Sequence, residues 1–444
     1  MAFDLPTIHN RVVSLDIHSR QITACALIVE ENTIRRLIHQ QFGTFKCELD
    51  EMVQWIQELR PDAVSMESTG IYWKAPYNAL EKAGIIPIVV NPRHVKNLKG
   101  HKTDVSDSHR LALLTRADLL RGSFVPPKKM RDLRMLSRQR KKYVDQLVSL
   151  KNRLHSILTE IGVRIGTVVS DIHGKSARAM IKAIIDGKEP EVVIRLASNR
   201  LKASKEELFD AVQGDMTPWH KFVLTDLMQR IEQAEAGIAQ YEKKLLEGLE
   251  EERPYLEILQ TIPGIDRVGA AMLLVEIGTD MSVFGKDDRL AMWVGLCPGN
   301  NESAGKRKSG RTTKGNRHAR SLLVEFAHAA SRTASVFKTK FQSLRGRIGF
   351  KRAIVATAHK LLRTIFAVLK NRVVYRDSSV NYEALLAKRN APRWIRELKK
   401  AGYLDKIVED YLREKDAETF REKDAETFRE KEGTHDRKKV GARF

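Results

Sequence analysis

The chain has 444 residues, 42% of them hydrophobic and 30% charged, with a formal net charge of +22 and a pI near 9.8. That length exceeds one ordinary core and suits two or three domains, and so large a cationic surplus implies a polyanionic partner, nucleic acid before any other. Three scattered cysteines, Cys25, Cys47 and Cys297, exclude a disulfide framework and a zinc site. The N-terminus has no signal-peptide apolar core. The most apolar stretch, Ala353 to Leu369, is broken by His359, Lys360 and Arg363, so no membrane span is expected. A cytoplasmic protein, nucleoid-associated when active, is the expectation.

Residues 11–17, 21–29 and 33–40 read as three closely spaced strands, an antiparallel meander. Asp16 stands inside the first, between Leu15 and Ile17. A lone acid in a buried strand is costly unless it is paired or metal-bound. A helix over 48–59 follows, then a strand within 62–70 carrying Glu67, a helix near 71–83 and a strand at 85–90. The next stretch, KTDVSDSHRLALL at 102–114, opens a helix with Asp104 and Asp107 three residues apart. That spacing puts both carboxylates on one helix face. Acids at a helix start are also favoured by the macrodipole alone, but two like charges aimed at one point suit a divalent ion such as Mg²⁺. Three strands, helix, strand, helix, strand, helix is the order of a ribonuclease-H-like fold, with acids on the first strand, the fourth strand and the last helix.

The pattern then becomes helical. Leu136, Tyr143, Leu147, Leu150, Leu154, Ile157 and Ile161 follow a 3–4 spacing interrupted by Arg140, and Leu224, Leu227, Ile231, Ala234, Ile238, Tyr241, Leu245 and Leu249 form a second such run. Both are long enough for a coiled coil, as an antiparallel hairpin or across a dimer. Residues 163–220 between them read as small helices, and 126–155 carry ten Lys/Arg against Asp132 and Asp145.

At 259–278, LQTIPGIDRVGAAMLLVEIG has the pattern of a helix-hairpin-helix. Gly264 would leave backbone N–H groups free for a DNA phosphate, although Asp266 stands where a second glycine is commoner. Residues 299–320 hold seven Lys/Arg against Glu302 and are rich in Gly, Ser, Thr and Asn, an exposed basic loop running into a helix at 317–330. Residues 338–372 hold ten Lys/Arg and no acid at helical apolar spacing, a second nucleic-acid-facing segment. The tail repeats REKDAETF over 413–428 and reads as low complexity.

The motifs LDIHS (Asp16), MESTGIYW (Glu67), KTDVSDSHRLA (Asp104, Asp107), IPGIDRVGAAMLLVEIG, GLCPGNNESAGKRKSG, TKGNRHARSLLVEFA and AIVATAHKLL occur in that order. Together, over residues 10 to 375, they resemble the DEDD-type transposases of the insertion-sequence-110 family, known as bridge-RNA-guided recombinases. The resemblance implies a ribonuclease-H/RuvC-like metal domain over 1–125 and coiled-coil helices over 126–250 with an insert at 163–220. It further implies a helical transposase domain over 251–375, leaving a C-terminal extension at 376–444. It implies Mg²⁺ held by Asp16, Glu67, Asp104 and Asp107, and a serine nucleophile, Ser303, in the SAGK turn. That turn departs from the family's usual Gly-Gly in having Ala304-Gly305, and Ser309 lies nearby. Lys306, Arg307, Lys308, Arg311, Lys314, Arg317 and Arg320 are the expected nucleic-acid contacts. The implied partners are donor and target DNA, a structured bridge RNA and further copies of the chain, as a homodimer or homotetramer, with no membrane.

The residues themselves suit such chemistry. Phosphoryl transfer needs charge neutralisation at the phosphate and an activated nucleophile, and a serine hydroxyl needs a base or metal to take its proton. Two alternatives use the same residues differently. A Holliday-junction-type endonuclease would activate water at the four acids, with Ser303 a spectator. A basic nucleic-acid scaffold would have no chemistry.

Overall fold

Alternate residues of a strand face opposite sides of a sheet, and in the first strand of this chain both sides are buried. The computed structural model describes residues 8–411 except 31–32, 68–69, 93–103, 200, 300, 304–305, 378–381, 404, 407 and 409–410. The chain divides into two compact units, Met1–Pro127 and Lys128–Phe444.

The first unit runs β1 (Arg11–Ile17), β2 (Ile22–Glu30), β3 (Thr33–Phe42), α1 (Lys46–Leu59), β4 (Ala63–Glu67), α2 (Lys74–Lys82), β5 (Ile88–Val90) and α3 (Asp104–Arg116). The sheet order is β3-β2-β1-β4-β5. The meander β1-β2-β3 is antiparallel, whereas β4 lies parallel to β1 and β5 parallel to β4. A mixed five-stranded sheet with this order is consistent with the ribonuclease-H-like expectation. Val13, Leu15 and Ile17 face Leu49, Met52 and Ile56 of α1 and Tyr77 and Leu80 of α2. Val12, Cys25, Leu27 and Val29 face Ala112 of α3 on the other side. Each such buried aliphatic is worth about 1.5–3 kcal/mol, so both faces are firmly covered. One layer of α3 therefore closes the side that carries Asp16.

Among its described residues the second unit is helical apart from one hairpin. It contains α4 (Lys128–Glu160), α5 (Ile165–Val168), α6 (Lys175–Ile185), α7 (Pro190–Ile194), α8 (Lys205–Val212), α9 (Pro218–Gly248), α10 (Arg253–Gln260), α11 (Arg267–Ile277) and α12 (Asp287–Val294). The strands β6 (Asn301–Ser303) and β7 (Lys306–Ser309) follow, then α13 (Arg317–Ala330), α14 (Val336–Ile348), α15 (Phe350–Asn371) and α16 (Tyr382–Lys400).

Of the two pairings open for the long helices, α4 and α9 adopt the antiparallel one within a single chain. Arg140 meets Glu242 (Nη2 to Oε1, 2.6 Å), the Tyr143 and Tyr241 rings lie 5.4 Å apart, and Lys151 meets Glu235 at 3.1 Å. The interruption at Arg140 is thus an ion pair across the seam. Leu136, placed on the seam by the sequence pattern, is only half-buried, and the row of α4 that is buried is Met130, Leu133, Ser137, Leu154 and Leu158. Arg134 and Arg138, on the same stretch, turn instead toward α11. Beyond the seam, α5 to α8 pack over the ends of α4 and α9 in one apolar cluster that includes Ile165, Met180, Ile181 and Leu208.

The expected helix-hairpin-helix has an internal explanation for its glycine. Gly264 has φ +87°, and a Cβ there would stand 2.6 Å from both the Phe326 carbonyl and the Ala330 nitrogen of α13. Only glycine permits that approach. Asp266, where the helix-hairpin-helix pattern more commonly has a second glycine, is the N-cap of α11, its Oδ1 accepting from the Gly269 N–H at 2.8 Å. No helix among the described residues is long and apolar enough to cross a membrane. The repeats at 413–428 lie outside the described residues.

Candidate functional site

The acidic site begins with two buried serines. Ser14 of β1 and Ser65 of β4 are register partners, both fully buried, and a buried hydroxyl needs a partner. Helix α3 supplies both. Ser14 Oγ donates to the Ser108 carbonyl at 2.5 Å, and Ser65 Oγ lies 2.7 Å from Thr115 Oγ1. The far end of α3 is tied to the start of β1 by Ile8 and His9, whose N–H groups donate to the Arg116 carbonyl. Helix α3 therefore runs antiparallel to β1, with its N-terminus at the C-terminal ends of β1 and β4.

This arrangement sets the height of the acids. Asp16 lies two residues beyond Ser14, and Glu67 two residues beyond Ser65. Two residues of strand rise about 6.6 Å. Asp104 precedes Ser108 by one helical turn, about 6 Å. The backbones of Asp16, Glu67 and Asp104 thus stand at one level on the α3 side of the sheet. Asp16 is buried, 8% exposed, and its Oδ2 lies 3.3 Å from His18 Nε2. Glu67 and Asp107 are half-buried, and the Asp104 side chain lies outside the described residues.

Among the described residues no group of three or more His, Cys, Asp or Glu side chains is close enough to hold a metal ion. The donor chemistry nevertheless suits a hard divalent cation: every expected ligand is a carboxylate, and Mg²⁺ takes oxygen ligands. His18 is a site neighbour that the sequence pattern did not single out. It sits two residues from Asp16 at the strand end, the same period-2 logic that marked Asp16 itself.

The region expected to be an exposed basic loop is a β-hairpin. β6 pairs antiparallel with β7, with Asn301 opposite Ser309, Glu302 opposite Arg307 and Ser303 opposite Lys306. Pairing extends below the strands through a Pro298–Thr312 bridge, with Gly299 N–H donating to the Arg311 carbonyl at 2.8 Å and Thr313 N–H to the Cys297 carbonyl at 3.1 Å. Backbone pairing requires no apolar core, which is why composition alone read as loop. Ser303 pairs with Lys306 at the end of β6, and Ala304 and Gly305 lie outside the described residues. Ser309 is at the opposite end of the ribbon. The side chains of Lys306, Arg307 and Lys308 lie outside the described residues, while Arg311, Lys314 and Arg317 are exposed. Arg320 is directed inward, its Nη2 donating to Thr312 Oγ1 at 2.8 Å.

The foot of this hairpin is fastened by a buried charge. Glu276 of α11 is fully buried. Arg138 approaches it with Nε to Oε1 at 2.9 Å and Nη2 to Oε2 at 3.0 Å, and Arg134 Nε lies 3.3 Å from Oε2. Arg134 also donates to the Val275 and Glu276 carbonyls. Burial pushes the Glu276 carboxyl up, but the two guanidiniums and the Asn316 amide outweigh it and hold it below the usual carboxylate range. Burial lowers Arg134 to about 10, so it stays charged at neutral pH. Asn316 joins this cluster to the hairpin: it follows Gly315, whose backbone packs on Gly295, and its Oδ1 caps α13 by accepting from His318 N–H at 3.0 Å.

Two family models match the chain. One, for DEDD-type transposases of the IS110 group, spans residues 13–163, and the other, described as transposase of the IS116/IS110/IS902 family, spans 256–342. The chain is 24% identical over 330 residues to a protein of Pseudomonas aeruginosa described as a family 20 transposase, covering 72% of this chain and 88% of that one. It is 31% identical over 126 residues to a transposase of Sinorhizobium fredii, covering 27% of this chain and 32% of the other. The first match takes in Asp16 in β1, together with β4 and α3 and their acids, and the second contains the serine hairpin. The chain belongs to the IS110 family of transposases, enzymes that cut and rejoin DNA.

Proposed function

We propose that the chain is an insertion-sequence recombinase in which Ser303 attacks DNA and Asp16, Glu67, Asp104 and Asp107 form the acidic site that assists it. The observation that carries this reading is the common level of the Asp16, Glu67 and Asp104 backbones, set by the Ser14–Ser108 hydrogen bond. The rows below the acids on this side of the sheet are apolar or hydroxylic.

In this mechanism the Ser303 hydroxyl forms an ester bond to the 5′ phosphate of one strand end and releases a 3′ hydroxyl. The ester conserves the bond energy, so a 3′ hydroxyl from another strand can later displace the serine and restore a phosphodiester. A divalent ion held by the four carboxylates would neutralise phosphate charge and ease loss of the serine proton. Lys306, Arg307, Lys308 and Arg311 would hold the phosphate beside the hairpin tip, with Lys314, Arg317 and Arg320 behind them. The serine and the acids belong to different units of the chain, so the reaction requires them to meet within one chain or between copies of a dimer or tetramer.

Guidance by a structured bridge RNA is part of the same proposal and is supported by the +22 charge. Basic segments at 126–155, 299–320 and 338–372 offer more cationic surface than one short DNA site needs. Reconstitution tests it: protein stripped of nucleic acid should recombine donor and target DNA only when its co-purifying RNA is returned with Mg²⁺. Recombination without RNA rejects the guide. Undiminished DNA cutting by Ser303→Ala rejects the nucleophile in favour of activated water.

A further inference from the structure

We propose that the groove between the foot of the serine hairpin and the α14–α15 pair holds the single DNA strand being cut and rejoined. This rests on the transposase reading for its choice of DNA, but not on which group is the nucleophile.

The groove has a volume of about 1590 Å³. Pockets for small ligands run to roughly 300–1,000 Å³, so it is sized for a segment of polymer. Its wall on the hairpin side is Pro298 and Gly310 to Thr312, the residues that pair at the foot of the arm bearing Ser303. Its other walls come from α14 and α15, which reverse direction at Gly349. That residue has φ +79° and serves as the end of one helix and the N-cap of the next.

The charge is one-sided. Among the described residues eight Lys/Arg line the groove, including Arg347, Lys351, Arg352 and Arg376, and Asp287 is the single carboxylate in the lining. Asp287 pairs with Arg363, its Oδ2 accepting from Arg363 Nε at 2.5 Å, and so offsets one of the eight cations. The floor is apolar, with Leu344, Val355 and Val368. Val373 and Val374 at its edge are about half exposed, 50% and 53%. A duplex presents phosphates outward and keeps its bases stacked inside. A cationic wall over an apolar floor instead suits a strand whose backbone and base faces are both available. Exposed Arg347, Lys351 and Arg352 lie where the two helices turn, placed to follow a backbone along the groove.

The test is fluorescence anisotropy on the full chain, freed of nucleic acid, with a labelled 15-nucleotide DNA strand, the same sequence as RNA, and the duplex. The variant is Arg347→Gln/Lys351→Gln/Arg352→Gln. Single-stranded DNA binding should weaken at least tenfold, and the slope of log affinity against log salt should shrink by about 2, since each single-strand phosphate contact is worth roughly 0.7. Duplex and RNA binding should change less than threefold. A variant that does not fold is covered by a second measurement on the unaltered protein: photocrosslinking with an iodouracil-substituted strand should label peptides within 336–376. Crosslinks confined to other segments, an unchanged DNA affinity, an equal loss on all three probes, or a larger loss for RNA would each overturn the proposal. Because binding is read without cleavage, Ser303→Ala protein should bind the strand normally, and failure of the serine mechanism would leave this result standing.

Discussion

Asn316 Nδ2 donates to Glu276 Oε2 at 2.7 Å, joining the foot of the serine hairpin to a fully buried carboxylate. The same carboxylate takes Arg134 and Arg138 from α4, so one residue ties the long helix, α11 and the start of α13 together. Removing one partner of a buried pair leaves uncompensated charge, at a cost of about 3–5 kcal/mol. Glu276→Ala should therefore lower the urea midpoint of the second unit markedly. Glu276→Gln, which can keep an acceptor toward Asn316, should cost less. Equal stability of Glu276→Ala and the parent protein would show that the cluster does not hold the hairpin's foot.

A second ion-pair cluster gives a pH signature. Glu235 accepts from Arg178 at 2.7 and 2.5 Å, and together with Lys151 this holds its carboxyl down at about 2. A carboxyl depressed on folding contributes stability that is present above its ordinary pKa of 4.5 and is lost as pH falls from about 5 toward 2. Glu235 is 32% exposed, so solvent screening limits the contribution to about 1–2 kcal/mol. Glu235→Gln should flatten the acid limb of the melting temperature over that window. A limb of unchanged steepness would assign acid sensitivity elsewhere.

The first unit's elements were legible because periodicity and burial agree there. β1, β4 and α3 fall where the alternation and the two acids of 102–114 placed them, and Asp16 was marked by its cost in an apolar strand. The same argument applied to Glu276, a lone acid in MLLVEIG, and could have marked it as needing buried partners. It could not have named them, because Arg138 lies 138 residues upstream and Asn316 lies 40 residues downstream. The hairpin at 301–309 was hidden because its strands are polar, and strand patterns are recognised by alternating apolar residues. The pairing of α4 with α9 was undecided because a heptad pattern is the same within a chain and between chains.

The acidic site predicts that Asp16→Ala, Glu67→Ala, Asp104→Ala and Asp107→Ala each abolish DNA cleavage while nucleic-acid binding survives. Binding depends on Lys and Arg elsewhere, and loss of a carboxylate removes repulsion toward phosphate. Cleavage assays at saturating Mg²⁺, paired with anisotropy, separate the two effects. Parent-level cleavage by two or more of these variants would refute the site.

The central claim is that Ser303, at the turn end of the β6–β7 ribbon, attacks DNA. Its most direct measurement is peptide mass spectrometry of a DNA–protein adduct, trapped with a substrate that stalls rejoining and recognised on denaturing gels as a protease-sensitive, slow-migrating band. The account predicts the adduct on Ser303, on a 5′ phosphate, with both adduct and strand exchange lost in Ser303→Ala. An adduct on Ser309, at the far end of the ribbon, or full recombination by Ser303→Ala, would contradict it.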